Sequence, residues 1–249
     1  MSFVVVIPAR YHSTRLPGKP LLEIASKSMI QRVWESAKQS SADAVIVATD
    51  DQRIYQAVRD FGADVEMTSF DHTSGSDRVQ EVAQKLGFAS DQIVVNVQGD
   101  EPFLPSELID QVAINLKSTP PAGIATLASP LTKEAEFNNS SVVKVVTDKN
   151  SYALYFSRSP IPQSLAFKSV DVGFKHIGIY AYRSGVLNTF VNYPIGDLER
   201  VERLEQLRAL ENGIRIHVGI VEHDLPKGVD TQADLEHARD FFISAKTDL

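Results

Sequence analysis

Short apolar runs rich in β-branched residues alternate along the chain with stretches in which apolar residues recur every three or four positions. The first pattern predicts buried strands and the second predicts amphipathic helices. The predicted strands are residues 3–7, 44–49, 64–68, 93–97, 123–128, 142–147, 176–182 and 214–221. Because strand and helix alternate through about residue 130, the pattern predicts an α/β fold with a mostly parallel sheet covered by helices on both faces.

Four amphipathic stretches separate the first five strands. They are marked by Met29-Ile30 with Val33, Trp34 and Ala37, by Ile54 with Ala57, Val58 and Phe61, by Val79 with Val82, Ala83 and Leu86, and by Leu108-Ile109 with Val112, Ala113 and Leu116. Pro105-Ser106 is a helix-start signal for the fourth stretch. The sequence therefore predicts four helices in its first half.

The second half of the chain has a looser pattern. Residues 131–183 contain two strand-like runs, a loop at 157–162 with two prolines, and no long helical period. Helical spacing returns in a series of apolar residues, namely Leu198, Val201, Leu204, Leu207 and Leu210. A last helix is predicted after Asp230-Thr231, since Thr231 is a natural N-cap with Asp234 three positions later. We interpret residues 1–249 as a single α/β domain in which 131–183 is a smaller insertion or dimerisation subdomain.

Composition excludes several classes of protein. The chain has 249 residues, no cysteine and a formal net charge of -7. A disulfide scaffold and a cysteine-ligated metal centre are therefore excluded, and an acidic balance argues against a nucleic-acid partner. The apolar run at residues 3–7 is too short for a signal-peptide core or a membrane span. We predict a cytoplasmic protein without membrane insertion.

The charge is unevenly distributed. The first 22 residues carry +3 from Arg10, Arg15 and Lys19 and contain no acid, which leaves -10 for the remainder. In open α/β sheets, ligands bind where strands end, and this cationic segment follows the first predicted strand. Guanidinium and ammonium groups with free backbone N–H groups suit phosphate oxygens. The segment matches neither a P-loop nor a dinucleotide fingerprint; by composition alone it is a phosphate site or a solvated loop.

The cationic segment belongs to a longer run, Ile7-Pro-Ala-Arg10-x-x-Ser-Thr-Arg15-Leu-Pro-Gly-Lys19-Pro-Leu21. Further motifs follow in order: D-H-x-S-G at 71–75, V-N-V-Q-G-D-E-P at 95–102, Y-A-L-Y-F-S-R at 152–158, H-I-G-I-Y at 176–180, L-E-Q-L-R at 204–208 and G-V-D-T at 228–231. This set closely resembles the CMP-Kdo synthetase family, the 3-deoxy-manno-octulosonate cytidylyltransferases. The resemblance extends over nearly the whole chain.

The resemblance implies both a fold and a reaction. The fold is a Rossmann-like nucleotide-diphospho-sugar transferase fold of the GT-A type, with a homodimer formed through residues 131–183 and a neighbouring helix. The enzyme would transfer CMP from CTP to an acidic 3-deoxy-octulosonate sugar, releasing pyrophosphate, for lipopolysaccharide biosynthesis. The alternatives are a cytidylyltransferase for another acidic sugar and a catalytically silent nucleotide-binding protein.

A metal site is expected because attack on a triphosphate is slow unless its charges are offset, usually by Mg²⁺ on one or two carboxylates. Asp100 follows the strand predicted at 93–97, and Asp230 follows the last predicted strand. Taken alone, Asp100 could equally be a turn residue, and Asp230 could equally be part of a helix start. The resemblance implies that Asp100 and Asp230 hold Mg²⁺.

The resemblance also implies the other site residues. The catalytic residues would be Arg10, Arg15, Lys19 and Asp100. The nucleotide-binding residues would be Ala9, Arg10, Ser13, Lys19, Ser74, Gly75 and Arg78. The sugar-binding residues would be Arg15, Gln98, Arg158, His176, Tyr180, Glu205 and Gln206. From the residues alone, Ser74 also reads as a helix cap, His176 as an ordinary sheet residue, and Glu205 with Arg208 as a surface pair at i, i+3 spacing.

The chain departs from the family pattern at three places. Residues 25–28 read Ala-Ser-Lys-Ser where a Gly-Lys-Pro turn is usual, residues 163–165 read Gln-Ser-Leu, and the helix entry at 197–203 carries additional arginines. The departures at 163–165 and 197–203 lie near the expected sugar and subunit-contact regions. The choice between Kdo and its 8-amino analogue therefore stays open.

Overall fold

The computed structural model describes residues 2–13, 15–163, 173–222 and 228–247, except for the side chains of 245–247. Its strands are β1 (Phe3–Ala9), β2 (Glu23–Ile24), β3 (Lys27–Ser28), β4 (Ala44–Thr49), β5 (Asp64–Met67), β6 (Ile93–Asn96), β7 (Ile124–Pro130), β8 (Lys144–Thr147), β9 (Ala153–Ser157), β10 (Gly173–Arg183) and β11 (Ile216–Ile220). Its helices are α1 (Met29–Ala37), α2 (Gln52–Asp60), α3 (Gly75–Lys85), α4 (Ser106–Ser118), α5 (Glu134–Asn138), α6 (Ser184–Val191), α7 (Asp197–Glu202), α8 (Gln206–Glu211) and α9 (Gln232–Thr247), and a 3-10 turn covers Lys19–Leu21.

The chain divides into two units. The first comprises Met1–Phe88, Val94–Asp110 and Leu225–Leu249, and the second comprises Ala89–Ile93 and Gln111–Asp224. The subdomain predicted at 131–183 falls within the second unit, which extends beyond it in both directions. Among the helices in the described ranges, none is both long and apolar enough to cross a membrane.

The first unit has a strand order of β6-β1-β4-β5. Strand β4 pairs in parallel with β1, Ile46 lying opposite Val6, and also in parallel with β5, Ile46 lying opposite Asp64. Strands β1 and β6 are almost continuously apolar and buried, as expected of strands covered on both faces. The α/β prediction is confirmed here.

Side-chain caps define where the helices of the first unit begin. The Ser28 hydroxyl accepts from the N–H of Gln31 at the start of α1, and the Asp51 carboxylate accepts from the N–H of Arg53 at the start of α2. Before α9, Thr231 Oγ1 accepts from the N–H of Asp234 at 3.2 Å while the carboxylate of Asp234 accepts from the N–H of Thr231 at 2.8 Å. The predicted cap at Thr231 is confirmed, and it fixes the residue just before it.

Strands β2 and β3 form a hairpin that the sequence patterns do not predict. Its two turn residues have positive φ, 47° at Ala25 and 72° at Ser26, which is the backbone of a tight hairpin turn. Arg32 donates from Nε to the carbonyl of Ile24 at 2.6 Å and from Nη2 to the carbonyl of Ala25 at 2.7 Å. These bonds hold a turn that lacks the expected glycine.

The second unit contains a mixed sheet. Strand β7 pairs in parallel with β11 and antiparallel with β10, and the antiparallel pairs β10·β8 and β8·β9 continue it. The predicted strands at 123–128, 142–147, 176–182 and 214–221 are confirmed. Strand β9 was not predicted, although Ala153 and Phe156 are buried while Leu154 is exposed.

Two helical predictions for the second unit need correction. Helix α6 was not predicted because it is rich in Gly, Asn, Thr and Val, which are weak helix formers. It packs closely at Gly185, where an added Cβ would lie 3.0 Å from Ser90 Cβ. The prediction of one continuous helix from Leu198 to Leu210 is wrong. The chain breaks at Arg203, with φ of 54°, into α7 and α8. A strict three-residue spacing turns 60° per step around a helix of 3.6 residues per turn, so it defines no single face.

Candidate active site

A single surface depression in the first unit collects the residues that follow β1, precede α3 and follow β6. It is lined by Pro8, Ala9, Arg10, Ser13, Arg15, Lys19, Pro20, His72, Thr73, Ser74, Gly75, Arg78, Gln98, Gly99, Asp100 and Asp230. Every residue expected to bind nucleotide, metal or the reacting phosphates is present, together with Arg15 and Gln98 of the sugar set. The roles of these residues stay predictions; their proximity is an observation.

Lys19 lies between the two expected metal ligands. Its Nζ donates to Asp100 Oδ2 at 2.6 Å, to Asp230 Oδ1 at 3.1 Å and to the carbonyl of Val229 at 2.9 Å. The side chain of Lys19 is only 14% exposed, so these contacts are shielded from water. Two carboxylates far apart in sequence therefore converge on one ammonium group.

Arg15 pairs with one of these two carboxylates, that of Asp230. Its Nη2 lies 3.1 Å from Asp230 Oδ1, and its side chain is 66% exposed. An exposed ion pair of this kind contributes little to stability. Arg10 is also exposed and lines the pocket. These two guanidinium groups are therefore available to an incoming anion.

Backbone contacts fix the position of Asp230. The N–H of Val229 donates to the carbonyl of Asp100 at 2.9 Å, which ties the two carboxylate-bearing segments together. The N–H of Asp230 donates to Asp234 Oδ2 at 3.1 Å. Asp230 is thus held between the capped start of α9 and the segment that follows β6.

Glu101 adds a third acid beside this pair. Burial, together with the charges of Asp100 and Asp230, raises the pKa of Glu101 to about 8, against the lowering effect of Lys19. A Cβ at Gly228 would lie 2.5 Å from Glu101 Oε1, so a larger residue at 228 would displace this carboxyl group.

The carboxylates of Asp100 and Asp230 suit an open magnesium site, in which the protein supplies only some of the ligands. In the described ranges, no group of three or more His, Cys, Asp or Glu side chains could hold a metal ion. Asp100 and Asp230 nevertheless supply two convergent carboxylates, and Mg²⁺ is typically held by one or two carboxylates with water and substrate phosphates completing its shell.

The start of α3 forms another wall of the pocket. Ser74 and Asp77 form a capping box, in which Ser74 Oγ accepts from the N–H of Asp77 at 3.1 Å and Asp77 Oδ2 accepts from the N–H of Ser74 at 3.0 Å. The alternative interpretation of Ser74 as a helix cap is confirmed. The N–H of Gly75, in the first turn, is among those that an α-helix leaves without an intrahelical acceptor. A Cβ there would lie 3.3 Å from Pro8 Cγ.

Arg78 lines the pocket, but its guanidinium group is already engaged. The side chain is 3% exposed and donates from Nη2 to Asp50 Oδ2 at 2.8 Å and from Nη1 to Thr68 Oγ1. These contacts join α3 to the ends of β4 and β5. A direct contact between Arg78 and nucleotide stays a prediction, and the observed contacts are those of a supporting residue.

His72 is a pocket residue that the predicted set omitted, although it lies in the D-H-x-S-G motif. Its Nε2 bonds to Glu81 Oε2, which also accepts from the N–H of Ser69 at 2.8 Å. Burial raises the pKa of Glu81, but bonds from Lys85, Ser69 and His72 outweigh it and lower that pKa to about 2. An ionised Glu81 therefore fixes the orientation of the imidazole beside Ser74.

The remaining sugar residues lie in the second unit. The rings of His176 and Tyr180 are 5.3 Å apart, and His176 Nε2 lies 3.0 Å from Thr126 Oγ1. Burial lowers the pKa of His176 to about 3. Burial, Tyr182 and Glu205 raise the pKa of Tyr180 well above its ordinary value. His176, Tyr180 and Glu205 are thus brought together, with both rings in their neutral forms at neutral pH.

Arg158 and Gln206, the other two predicted sugar residues, have contacts or burial typical of residues that support the fold. Arg158 donates from Nε to the carbonyl of Glu202 at 2.9 Å and from Nη1 to the carbonyl of Ser140 at 3.1 Å. Gln206 is buried in the first turn of α8. Their proposed contacts with sugar stay predictions.

Glu205 and Arg208 form the i, i+3 pair of the alternative interpretation, but it is not a surface pair. Arg208 is 6% exposed. It forms a two-bond pair with Glu199, Nε to Oε2 at 2.8 Å and Nη2 to Oε1 at 3.0 Å, and Nη2 also donates to Glu205 Oε1 at 3.2 Å. The guanidinium carbon lies 5.0 Å from the ring centre of Phe190. Arg208 therefore anchors α7 to α8 and positions Glu205.

The profile of the cytidylyltransferase family matches residues 4–216, and the chain belongs to that family. Within the family it is similar to 3-deoxy-manno-octulosonate cytidylyltransferases. The protein of that name from Saccharophagus degradans is 52% identical over 249 residues, which cover 96% of this chain and 98% of the relative. That from Pseudomonas syringae pv. tomato is 55% identical over 246 residues, covering 96% of this chain and 97% of the relative.

A solved structure supports the same relationship. The structure of a CMP:2-keto-3-deoxy-manno-octonic acid synthetase complexed with CTP is 43% identical in sequence, with a TM-score of 0.92, and the match covers 98% of this chain and 100% of that one. The predicted family and fold class are therefore confirmed.

Proposed function

We propose that this chain is a CTP:3-deoxy-manno-octulosonate cytidylyltransferase that activates the sugar for lipopolysaccharide biosynthesis. The anomeric hydroxyl oxygen of the sugar bonds to the α-phosphorus of CTP. The bond from that phosphorus to the oxygen bridging to the β-phosphorus breaks, pyrophosphate leaves and the hydroxyl proton passes to solvent. The observation that carries the proposal is the convergence of Arg10, Arg15 and Lys19 with Asp100 and Asp230 in one pocket.

The cations act by position and charge. Lys19 is shielded and fixed by three acceptors, so its charge is already oriented when CTP binds. Arg10 and Arg15 are exposed and provide guanidinium forks for phosphate oxygens. Preorganised charges of this kind stabilise the negative charge that develops on the leaving pyrophosphate without reorganising during the reaction.

We further propose Mg²⁺ as the cofactor, with Asp100 and Asp230 as its protein ligands. When bound, the ion supplies Lewis-acid neutralisation of phosphate charge. The bond from the N–H of Val229 to the carbonyl of Asp100 and the capped start of α9 hold the two carboxylates in place.

We propose that His176, Tyr180 and Glu205 contact the sugar; sugar contacts of Arg15 and Gln98 stay predictions from the motif resemblance. A neutral imidazole, a phenol and a carboxylate suit a polyol, while Arg15 suits the carboxylate of the sugar acid. Whether the sugar is Kdo or its 8-amino analogue depends on such contacts, since the nucleotide half of the reaction is the same for both.

The deciding experiment measures pyrophosphate release with CTP and Mg²⁺, using Kdo and the 8-amino analogue side by side. Release with Kdo at a kcat/KM at least tenfold above that of the analogue supports the proposal as stated. The reverse preference reassigns the sugar. Release with neither sugar, despite CTP binding measured by calorimetry, would leave a nucleotide-binding protein and overturn the enzyme assignment.

We also propose that the protein works as a homodimer in the cytoplasm. Leu154 on β9 and Val201 on α7 expose 62% and 81% of their surface, and Ser157 of β9 bonds to Glu202 of α7. Exposed apolar residues on adjoining elements are typical of a subunit contact. Light scattering should give twice the chain mass, and Val201→Asp should shift it toward the monomer; cell fractionation tests the location.

A further inference from the structure

Tyr11 lies in the cationic segment but faces away from the pocket. Its neighbours Arg10 and Ser13 line the pocket, whereas Tyr11 does not. The ring instead lies against the backbone of Gly18, where a Cβ would be 3.2 Å from three of its atoms. The N–H of Gly18 also donates to the carbonyl of Tyr11 at 3.1 Å. Tyr11 therefore braces the segment that ends in Lys19.

Arg53 covers the other side of this ring. Its guanidinium carbon lies 3.3 Å from the ring centre of Tyr11. The guanidinium is oriented by Asp51, with Nε to Oδ1 at 2.9 Å and Nη2 to Oδ2 at 2.7 Å. Asp51 is itself the N-cap of α2, and α2 lies against the 3-10 turn Lys19–Leu21. A rigid helix end thus holds a stacked cation in a fixed place.

We propose that Arg53 is a positioning residue for the reaction, acting through Tyr11 on the cationic segment. The stack of Arg53, Tyr11 and Gly18 fixes the residue after Arg10 and the residue before Lys19, so both cations are placed before the nucleotide arrives. This inference rests on the proposed function, because it gives the stack a role in binding the triphosphate of CTP. The Arg53 side chain contacts Tyr11 and Asp51, neither of which is among the residues that line the pocket.

Two effects of Arg53 must be separated, its stacking on Tyr11 and its positive charge. Arg53 is exposed and adds one positive charge near an anion site, so its removal could weaken binding by long-range attraction alone. Arg59 lies exposed on the same helix and provides the matched control for that effect. Arg53→Lys keeps the charge and loses the planar fork that pairs with Asp51 and stacks on the ring.

The test measures CTP affinity by calorimetry, and KM and kcat by pyrophosphate release. Arg53→Ala should raise the Kd and KM for CTP by about two- to fivefold, the range expected of a cation stacked on an exposed aromatic ring, with little change in kcat or in the KM for sugar. Arg53→Lys should recover less than half of the loss. Arg59→Ala should leave all constants within error of the wild type.

A double-variant cycle decides whether the effect passes through the ring. Tyr11→Phe keeps the ring and should bind CTP as the wild type does, whereas Tyr11→Leu should weaken binding at least as much as Arg53→Ala. In the Tyr11→Leu background, Arg53→Ala should add nothing. Additive effects, or equal effects of Arg53→Ala and Arg59→Ala, overturn the inference. A wild type that binds no CTP would instead overturn the proposed function, so the two failures are distinguishable.

Discussion

Gly99 and the carbonyl oxygen of Pro8 lie so close that a Cβ built on Gly99 would be 2.8 Å from that oxygen. Pro8 belongs to β1 and Gly99 follows β6, so this contact sets how closely the two strand ends approach beneath the pocket. The obstacle is a backbone atom, which cannot rotate aside as a long side chain would. The glycine is therefore a geometric requirement of the pocket floor.

Gly99→Ala should destabilise the chain by about 1–3 kcal/mol, the usual cost of overpacking a well-filled site, and should weaken CTP binding because the pocket floor shifts. Urea unfolding and calorimetry measure the two effects. Gly178→Ala is the control, since a Cβ there meets no atom within 4 Å. If both variants are equally stable and bind CTP equally well, the close approach is not needed.

Asp100→Asn and Asp230→Asn should each lower turnover by about a hundredfold or more, the scale of losing one electrostatic contribution to the transition state. Chelation of Mg²⁺ should abolish pyrophosphate release by the wild type, and added Mg²⁺ should restore it. Circular dichroism should show an unchanged fold. Asp60→Asn, at an exposed carboxylate that accepts from Gln56 Nε2 at 2.8 Å, should keep full activity. Near-normal turnover of Asp100→Asn would remove it from the metal site.

Lys19→Ala should raise the KM for CTP far more than the KM for sugar. The substitution removes the cation that meets the phosphates and leaves two carboxylates facing each other without their shared ammonium. Separate saturation curves for the two substrates measure the difference. Lys27→Ala, at a lysine 41% exposed and paired with Glu35, is the control. Equal increases in both KM values would argue against a role specific to CTP.

Arg208→Ala should lower the free energy of unfolding by about 3–5 kcal/mol, because it leaves Glu199, whose side chain is only 12% exposed, charged and without its partner. Arg200→Ala is a sharp comparison: Arg200 pairs with Asp197 on the neighbouring helix α7, but the two side chains are 66% and 87% exposed. Its loss should cost less than about 1 kcal/mol. Urea unfolding measures both, and similar values for the two variants would contradict the buried-anchor interpretation.

Stability should fall in two steps as the solution is acidified. The pKa of His176 is lowered from 6.5 to about 3, so between those values the unfolded chain takes up a proton that the folded chain does not, and stability is lost as pH falls from about 6.5 toward 3. The lowered pKa of His217 acts in the same direction. The pKa of Glu81 is lowered from 4.5 to about 2, so its contribution is present above 4.5 and disappears below it.

Urea unfolding between pH 7.5 and 4 tests the first step. His176→Gln removes the titrating group and should flatten the dependence between pH 6.5 and 5, leaving the smaller contribution of His217. Glu81→Gln should change only the slope below pH 4.5. A His176→Gln profile that parallels the wild type would show that this imidazole titrates normally in the folded chain.

Pattern alone predicted the strands and helices that carry the pocket, because β1, β4 and β6 are continuous apolar runs and α1 to α3 have strong helical spacing. The carboxylates were predictable in kind, since Asp100 and Asp230 each follow a strand. Their closeness in space could not be derived from local patterns, because it depends on the pairing of strands that are remote in sequence. The motif resemblance supplied that information.

The failures have local physical causes. Helix α6 is held by backbone bonds from Ser184 and Gly185 to residues 92 and 90, which override weak helix propensity. The hairpin of β2 and β3 depends on the side chain of Arg32 rather than on a turn glycine. His72 was omitted because an imidazole shows its function only when its partner, here Glu81, is known in space.

The contact between Lys19 and Asp230 joins residues 211 positions apart. During synthesis, Asp230 is added 211 residues after Lys19. The ion pair between them cannot form before that. Closing so long a loop is among the costly steps of folding. A newly made chain should therefore become active only late in its folding. On refolding, activity should return more slowly than helical structure.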